Sequence, residues 1–283
     1  MREILKICCH EFRIQMNSKR VWLGYMVGMV LILSQAMYYV RYGQAMGEPI
    51  NVLEAFIVSG NCERTIMLLP VGWLLVMSEA PFVNRVSFYA LYRTKKKTWN
   101  QAMLLYIALQ AILYYVVLAM ITIVFSIADG YLANIWSYPF TGMVEGTSDA
   151  THYNVSFPSM DFIKVESVFT GFMHTFVLQV FYAIVLGILL YVASQLSNQI
   201  LGPVATFIFH FLEYEIMKEG YGLVIDFSLL ARSIVAYQVG KEALESLFQS
   251  YLIFIILIIT LVEISNKLIR YIDFKTIAME NDT

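Results

Sequence analysis

Residues 101–127, QAMLLYIALQAILYYVVLAMITIVFSI, contain no charged side chain. A transmembrane helix needs about 20 consecutive, mostly apolar residues, so this stretch is predicted to cross a membrane as one helix. The whole chain agrees with this reading. It is 59% hydrophobic and only 14% charged, where soluble domains carry about 25% charged residues, and its mean hydropathy is +0.66. We predict an all-α integral membrane protein that forms a single domain over residues 1–283.

Five further stretches are predicted to span the membrane as helices. The most polar of them is the fifth span in chain order, because it carries His210, Glu213 and Glu215. Pro70 and Pro81 are expected near the two ends of the second span, where a helix tolerates proline. The five stretches are 21–42, 66–83, 168–193, 198–217 and 247–264.

The basic residues predict the orientation of the chain. Thirteen of the 19 lysines and arginines lie on one side of the predicted spans, in the N-terminal arm, the second-to-third connection and the C-terminal tail. Cytoplasmic segments carry the excess of positive charge. Both termini are therefore predicted to be cytoplasmic, which requires an even number of spans.

The second-to-third connection, residues 84–100, holds the densest positive charge. Residues 84–99 read NRVSFYALYRTKKKTW. Because the flanking runs are long enough to span, this segment is predicted to be a short cytoplasmic loop that a soluble partner could contact. Its basic residues are Arg85, Arg93, Lys95, Lys96 and Lys97.

The N-terminal arm, residues 1–20, has a regular apolar stripe. Ile4, Cys8, Phe12 and Met16 recur at four-residue steps, and basic side chains occupy another face. This spacing predicts an amphipathic helix lying in the cytoplasmic interface of the membrane. The alternative is that the arm is only a topology signal.

Two long connections are predicted on the outer side. Residues 128–166 contain seven aromatic residues among turn-forming and acidic residues, which favours a small ordered extracytoplasmic lobe. Residues 218–246 contain apolar pieces too short to span. These pieces are predicted to form re-entrant or interfacial helices that dip into the outer leaflet.

Motifs for nucleotide or metal chemistry are missing from the sequence. The only Gly-Lys pair, Gly240-Lys241, is preceded by Val235 at the position where a phosphate-binding loop needs glycine. Any ATP-driven work must therefore come from another chain. We expect no catalytic residue, no metal site, no cofactor bound by this chain and no nucleic-acid partner.

One polar constellation falls within the predicted spans. His210 and Glu213 are three residues apart and share a helix face, and His174 is expected at a similar depth in the outer half of the bilayer. Such groups usually face a protein-lined or watery interior. Three interpretations stay open: interhelical hydrogen bonds, a proton site or polar lining near an outer gate, and a metal-dependent membrane enzyme.

The layout as a whole resembles bacterial ABC-transporter permeases of the second export class, the ABC type 2 permeases with the type V exporter fold. The resemblance rests on the basic arm, six spans, the basic inner loop, the outer lobe and the broken helices before the last span. It implies that residues 84–100 form a coupling helix that docks on a separate ATPase. Glu79 matches the acid that begins this region, and Arg93, Lys96 and Trp99 match its basic and aromatic positions; the coupling residues expected are Glu79, Arg85, Arg93, Lys95, Lys96, Lys97 and Trp99.

The resemblance also implies a function and partners. A permease of this class would export a peptide, lipid or drug-like substrate, including antimicrobial peptides, from the bacterial plasma membrane. It would pair with a second permease chain, identical or related, and ATP and Mg²⁺ would bind to the partner ATPase. His174, His210 and Glu213 would line the pathway or outer gate. The alternatives are a proton-coupled secondary transporter and a membrane-bound metal-dependent enzyme, both using these three residues.

Overall fold

The computed structural model describes residues 1–80, 94–146, 150–196, 201–219, 227–239 and 243–271. About 81% of the described residues are helical, which confirms the prediction of an all-α fold. The exception is a pair of two-residue parallel strands, β1 (Ile50–Asn51) and β2 (Gly130–Tyr131). The described helices are α1 Arg2–Gln15, α2 Lys19–Met46, α3 Glu54–Asn61, α4 Glu63–Val76, α5 Lys96–Ser126, α6 Tyr138–Val144, α7 Phe162–Val165, α8 Val168–Leu196, α9 Leu201–Glu219, α10 Leu229–Arg232, α11 Val235–Gln238 and α12 Ala243–Leu268.

Four of the described helical segments are long and apolar enough to cross a membrane. They correspond to the first, third, fourth and sixth predicted spans, and each is longer than the sequence predicted because polar residues extend the helix at its ends. The four segments are Lys19–Met46, Lys96–Asp129, Val168–Leu196 and Ser246–Leu268.

The other two predicted spans fold differently. The second predicted span, 66–83, overlaps α4, which ends at Val76. Helix α3 precedes it in the chain, and the two helices are separated at Cys62, whose backbone is extended (φ −87°, ψ 122°). Pro70 lies inside α4 and not near a helix end, so its expected position was wrong. The fifth region forms α9, a helix of 19 residues with charged side chains in its second half.

Contacts between helix termini define two ends of the bundle. At one, here called the basic end, Ser18 contacts Glu79 and Asn100 contacts Asn266. At the other, the lobe end, Ser137 contacts Glu54. Every long helix runs between these two ends, and so does the broken pair α3 and α4.

The lobe end is organised by an aromatic cluster between α5 and α8. Trp136 stacks on Phe140 with ring centroids 4.4 Å apart, and Phe157 meets Phe162 at 4.9 Å. The Trp136 indole N–H donates to the Glu166 carbonyl at 2.9 Å. This last bond ties the cluster to the start of α8.

Helix α2 packs on α4 through glycines. A Cβ atom at Gly24 would lie 2.6 Å from the Gly72 carbonyl oxygen, and a Cβ at Gly28 or Gly72 would overlap the Tyr114 hydroxyl of α5. That hydroxyl donates to the Leu69 carbonyl at 3.1 Å. Small residues thus let the backbones of α2 and α4 approach closely, as in many membrane helix pairs, and leave room for the Tyr114 hydroxyl of α5.

Candidate functional site

The basic end presents the lysines of the predicted coupling loop. Lys95, Lys96 and Lys97 are exposed, and they occupy the N-cap and first two positions of α5. The N-terminus of a helix carries partial positive charge, so lysines there reduce helix stability. This arrangement favours contact with an acidic surface. Arg85 and Arg93 lie outside the described residues.

Trp99, one turn further along α5, is buried at 1% exposure. It therefore supports the lysine surface from inside and does not belong to a surface that a partner could contact. The next residue, Asn100, is also buried. Its side-chain amide oxygen, Oδ1, accepts bonds from the Tyr191 hydroxyl (3.1 Å) and the Ser265 hydroxyl (3.0 Å). The start of α5 is thereby fixed to α8 and α12.

Glu79 links two other parts of the basic end. Its carboxylate accepts a 2.5 Å hydrogen bond from the hydroxyl of Ser18, the N-cap residue of α2. The helix before it, α1, packs on α5, where Phe12 meets Tyr106 edge-on at 4.8 Å. The N-terminal arm and the residues just before the predicted coupling loop are therefore mechanically connected.

His210 is buried between two helices and bonded on both sides. Its Nε2 lies 2.8 Å from the Met67 carbonyl oxygen, and its Nδ1 lies 2.8 Å from the Tyr182 hydroxyl. Since a carbonyl only accepts, Nε2 carries the proton and Nδ1 accepts from Tyr182. His210 thus joins α9 to α4 and α8.

Glu213 caps a short helix. One carboxylate oxygen accepts from the Ser228 hydroxyl (2.9 Å), the Leu229 N–H (2.7 Å) and the Leu230 N–H (3.3 Å). These N–H groups open α10 and have no partner within the helix. The buried carboxylate therefore fixes α10 against α9.

His174 lies apart from the other two. Its Nδ1 is 2.6 Å from the Tyr251 hydroxyl, and its Nε2 is 3.9 Å from a Glu166 carboxylate oxygen. His210 is level with Tyr182, eight residues along α8 from His174, or about 12 Å. The sequence predicted a similar depth for the two histidines, and the contact residue of His210 on α8 lies about two helical turns from His174. Within the described ranges, no three His, Cys, Asp or Glu side chains group as metal ligands.

The cap on α10 gives a direct prediction. Glu213→Ala should lower the stability of the protein by about 2 kcal/mol, because three donors lose a charged acceptor. Glu213→Gln keeps one acceptor oxygen and should lose less. Melting temperatures in detergent measure both, with Glu215→Ala on the same helix as the control. Equal melting of Glu213→Ala and the control would rule out a structural cap.

A third site, which was not predicted, lies at the break between α3 and α4. A cavity of about 500 Å³ opens there, and Gln35, Asn61, Glu63, Arg64 and Tyr214 are among its lining residues. The signal that could have revealed it is Gly60-Asn61-Cys62 followed by Glu63-Arg64, because helix-ending residues precede a charged pair.

No family model, curated protein or solved structure matches the chain.

Proposed function

We propose that the protein is the membrane-spanning permease subunit of an ATP-driven exporter, of the ABC type 2 class, powered by a separate ATPase. The observation that carries the proposal is the exposed segment Lys95–Lys97 at the start of α5. Three lysines at the positive end of a helix are costly to the fold alone and suit an acidic docking groove.

A six-span topology is supported by the contacts at the two ends. Helix α9 begins at the basic end, where Gly202 packs on Ser194, and reaches the lobe end through Glu213 and Ser228. One face of α9 exposes Phe207, Ile208, Phe211 and Leu212. An exposed apolar face of this kind is suited to contact with lipid tails. The broken pair α3 and α4 would form the second span, with both chain termini in the cytoplasm.

The packing provides contacts that can transmit a displacement of the exposed lysines to other helices. A displacement of Lys95–Lys97 moves the start of α5, and Asn100 carries that movement to α8 and α12 through side-chain hydrogen bonds. The Ser18–Glu79 bond carries movement at the end of α4 to the first two helices. These hydrogen bonds connect the helices that meet at the basic end, so we expect them to move together.

The remaining parts of the proposal follow from the class. A second permease chain, identical or related, would complete the pathway, and ATP with Mg²⁺ would bind to the ATPase. The lobe would face outward from a bacterial plasma membrane. A peptide, lipid or drug-like molecule would be the substrate, with antimicrobial-peptide export or immunity as one form of it.

Charge reversal tests the docking surface. In the triple variant Lys95→Glu, Lys96→Glu, Lys97→Glu, we expect the ATPase recovered with the chain from native membranes to fall at least about tenfold, because like charges would face each other across the interface. Transport-coupled ATP hydrolysis should fall with it. The triple arginine variant keeps the charge and should retain the partner.

A second control separates docking from a general charge effect. Lys164→Glu reverses an exposed lysine at the lobe end and should change neither measurement. If the triple glutamate variant keeps both the partner and coupled hydrolysis, the docking proposal is wrong. Trp99→Ala is unsuitable for this test, since removing a buried indole destabilises the fold itself.

The hydrogen bonds of His210 and Glu213 favour a structural role over the proton-coupled and enzymatic alternatives. Both His210 nitrogens have partners, and Glu213 caps α10. The two alternatives predict that His210→Gln abolishes transport or turnover in the isolated chain without an ATPase.

A further inference from the structure

A groove lies between helices α8, α9 and α12, and the start of α10 forms its fourth wall. It encloses about 500 Å³. Its walls are mostly apolar and include Leu189 of α8, Phe209 of α9 and Leu257 of α12. Pockets for drug-sized molecules have volumes of about 300–1,000 Å³ and mainly apolar walls, so the groove is large enough for such a ligand.

The groove opens sideways from the bundle. Phe227 and Ile256 line it and are 80% and 55% exposed. The part of α12 that lines it, Ile253–Leu261, lies in the middle of a helix that is long and apolar enough to cross a membrane, and so is α8 on the opposite wall. A molecule dissolved in the bilayer could therefore enter the groove without passing through water.

One charge lies within these apolar walls. Among the described residues that line the groove, Glu213 is the only charged one, and none of the ion pairs between described residues includes it. The polar residue Thr260 uses its hydroxyl to donate to the Ile256 carbonyl at 2.8 Å. An ionisable group at membrane depth is costly and is usually found where a ligand or ion is handled.

The two oxygens of Glu213 have different surroundings. The bonds to the start of α10, from Ser228, Leu229 and Leu230, all go to Oε2. The other oxygen, Oε1, accepts no hydrogen bond from the described residues, and it is not among the fully enclosed polar atoms that lack a partner. Oε1 therefore reaches open space, and the cavity that Glu213 lines is this groove.

We propose that the groove binds a lipophilic cation, an ammonium or phosphonium group carried on an apolar body, with Oε1 of Glu213 as the counter-charge. Phe209 precedes Glu213 by four residues on α9, so the two side chains share a helix face and a bound cation could also contact an aromatic ring. The apolar walls would hold the body of the ligand.

This assignment narrows the substrate class of the proposed exporter. As a substrate site, the groove rests on the proposed export function. As a binding site, it can be tested on this chain without an ATPase.

Two ions of nearly equal size and shape but opposite charge provide the probes. Tetraphenylphosphonium and tetraphenylborate are each measured by equilibrium dialysis against the full chain in detergent, and their uptake by protein-free micelles is subtracted. We expect saturable binding of the phosphonium cation. The borate anion should bind at least about tenfold more weakly, because its charge has the same sign as that of Glu213.

Glu213→Gln tests the charge. The glutamine keeps one oxygen that can accept from the N–H groups of α10, while the groove loses its negative charge. The phosphonium should therefore bind at least about tenfold more weakly. Dialysis is run well below the melting temperature of this variant, so that the folded protein is measured.

A matched pair of substitutions tests the place without changing Glu213. Ile253→Trp adds bulk inside the groove and should weaken binding of the phosphonium at least about tenfold. Ile259→Trp makes the same change at a residue of α12 that is 58% exposed and lies outside the groove. This control should bind the phosphonium as the wild type does.

Three results would overturn the inference: no saturable binding of the phosphonium, equal binding of the two ions, or wild-type binding by Ile253→Trp. Equal binding of the two ions would mean that the groove holds only lipid tails. The lysine variants at the basic end should bind the phosphonium normally. Loss of ATPase coupling in those variants therefore tests the export proposal alone, and loss of phosphonium binding tests the groove alone.

Discussion

Glu54→Ala is expected to destabilise the protein by about 3 kcal/mol or more, because four buried donors would lose one acceptor group. The fully buried carboxylate accepts from the Tyr39 hydroxyl (2.7 Å), the Asn51 N–H (3.0 Å) and both the N–H (2.7 Å) and hydroxyl (2.6 Å) of Ser137. It joins α2, β1, α3 and the start of α6. Melting in detergent and limited proteolysis between α5 and α8 should both report the loss.

Two further variants test whether loss of the Glu54 acceptor causes the destabilisation. Glu54→Gln preserves the side-chain volume but places an NH₂ group against donors. Its melting temperature should therefore lie between those of the wild type and Glu54→Ala. Glu48→Ala removes an exposed acid near the same end and should melt with the wild type. If Glu54→Ala also melts with the wild type, the carboxylate does not hold the lobe end together.

The long helices could be predicted because their signal is local. A run such as residues 101–127 needs only its own apolar side chains to identify it, and the helix Lys96–Ser126 covers nearly all of it. The cluster of lysines before it is equally visible. What these lysines contact is decided by another chain, so their role stays a prediction.

The parts that sequence reasoning missed depend on contacts between distant residues. The break at Cys62 is stabilised by Gln179 and Ala236, which are more than a hundred residues away. Trp99 was predicted as a coupling residue beside three lysines, and its side chain is buried. The two hydrogen-bond partners of His210, Tyr182 and Met67, lie on other helices. No local pattern contains this information.

Gly28→Ala is the second substitution with a large expected effect. An added methyl group there would overlap the Tyr114 hydroxyl and lie 2.8 Å from a carbon of the same ring. Overpacking of this kind should destabilise the protein by about 1–3 kcal/mol. Alanine favours a helix over glycine by up to about 1 kcal/mol, so a net loss in melting temperature would report the packing clash alone. The exposed Val30→Ala change on the same helix is the control.

Tyr114→Phe should partly rescue Gly28→Ala, because it removes the overlapping hydroxyl at the cost of one hydrogen bond to Leu69, about 1 kcal/mol. It should not rescue Gly24→Ala, whose methyl group would meet backbone atoms of Gly72 and Val76 at 2.6 Å and 2.8 Å. A double-mutant cycle therefore predicts favourable coupling between positions 28 and 114 and little between 24 and 114. Equal coupling in the two cycles would mean that α2, α4 and α5 do not meet at these glycines.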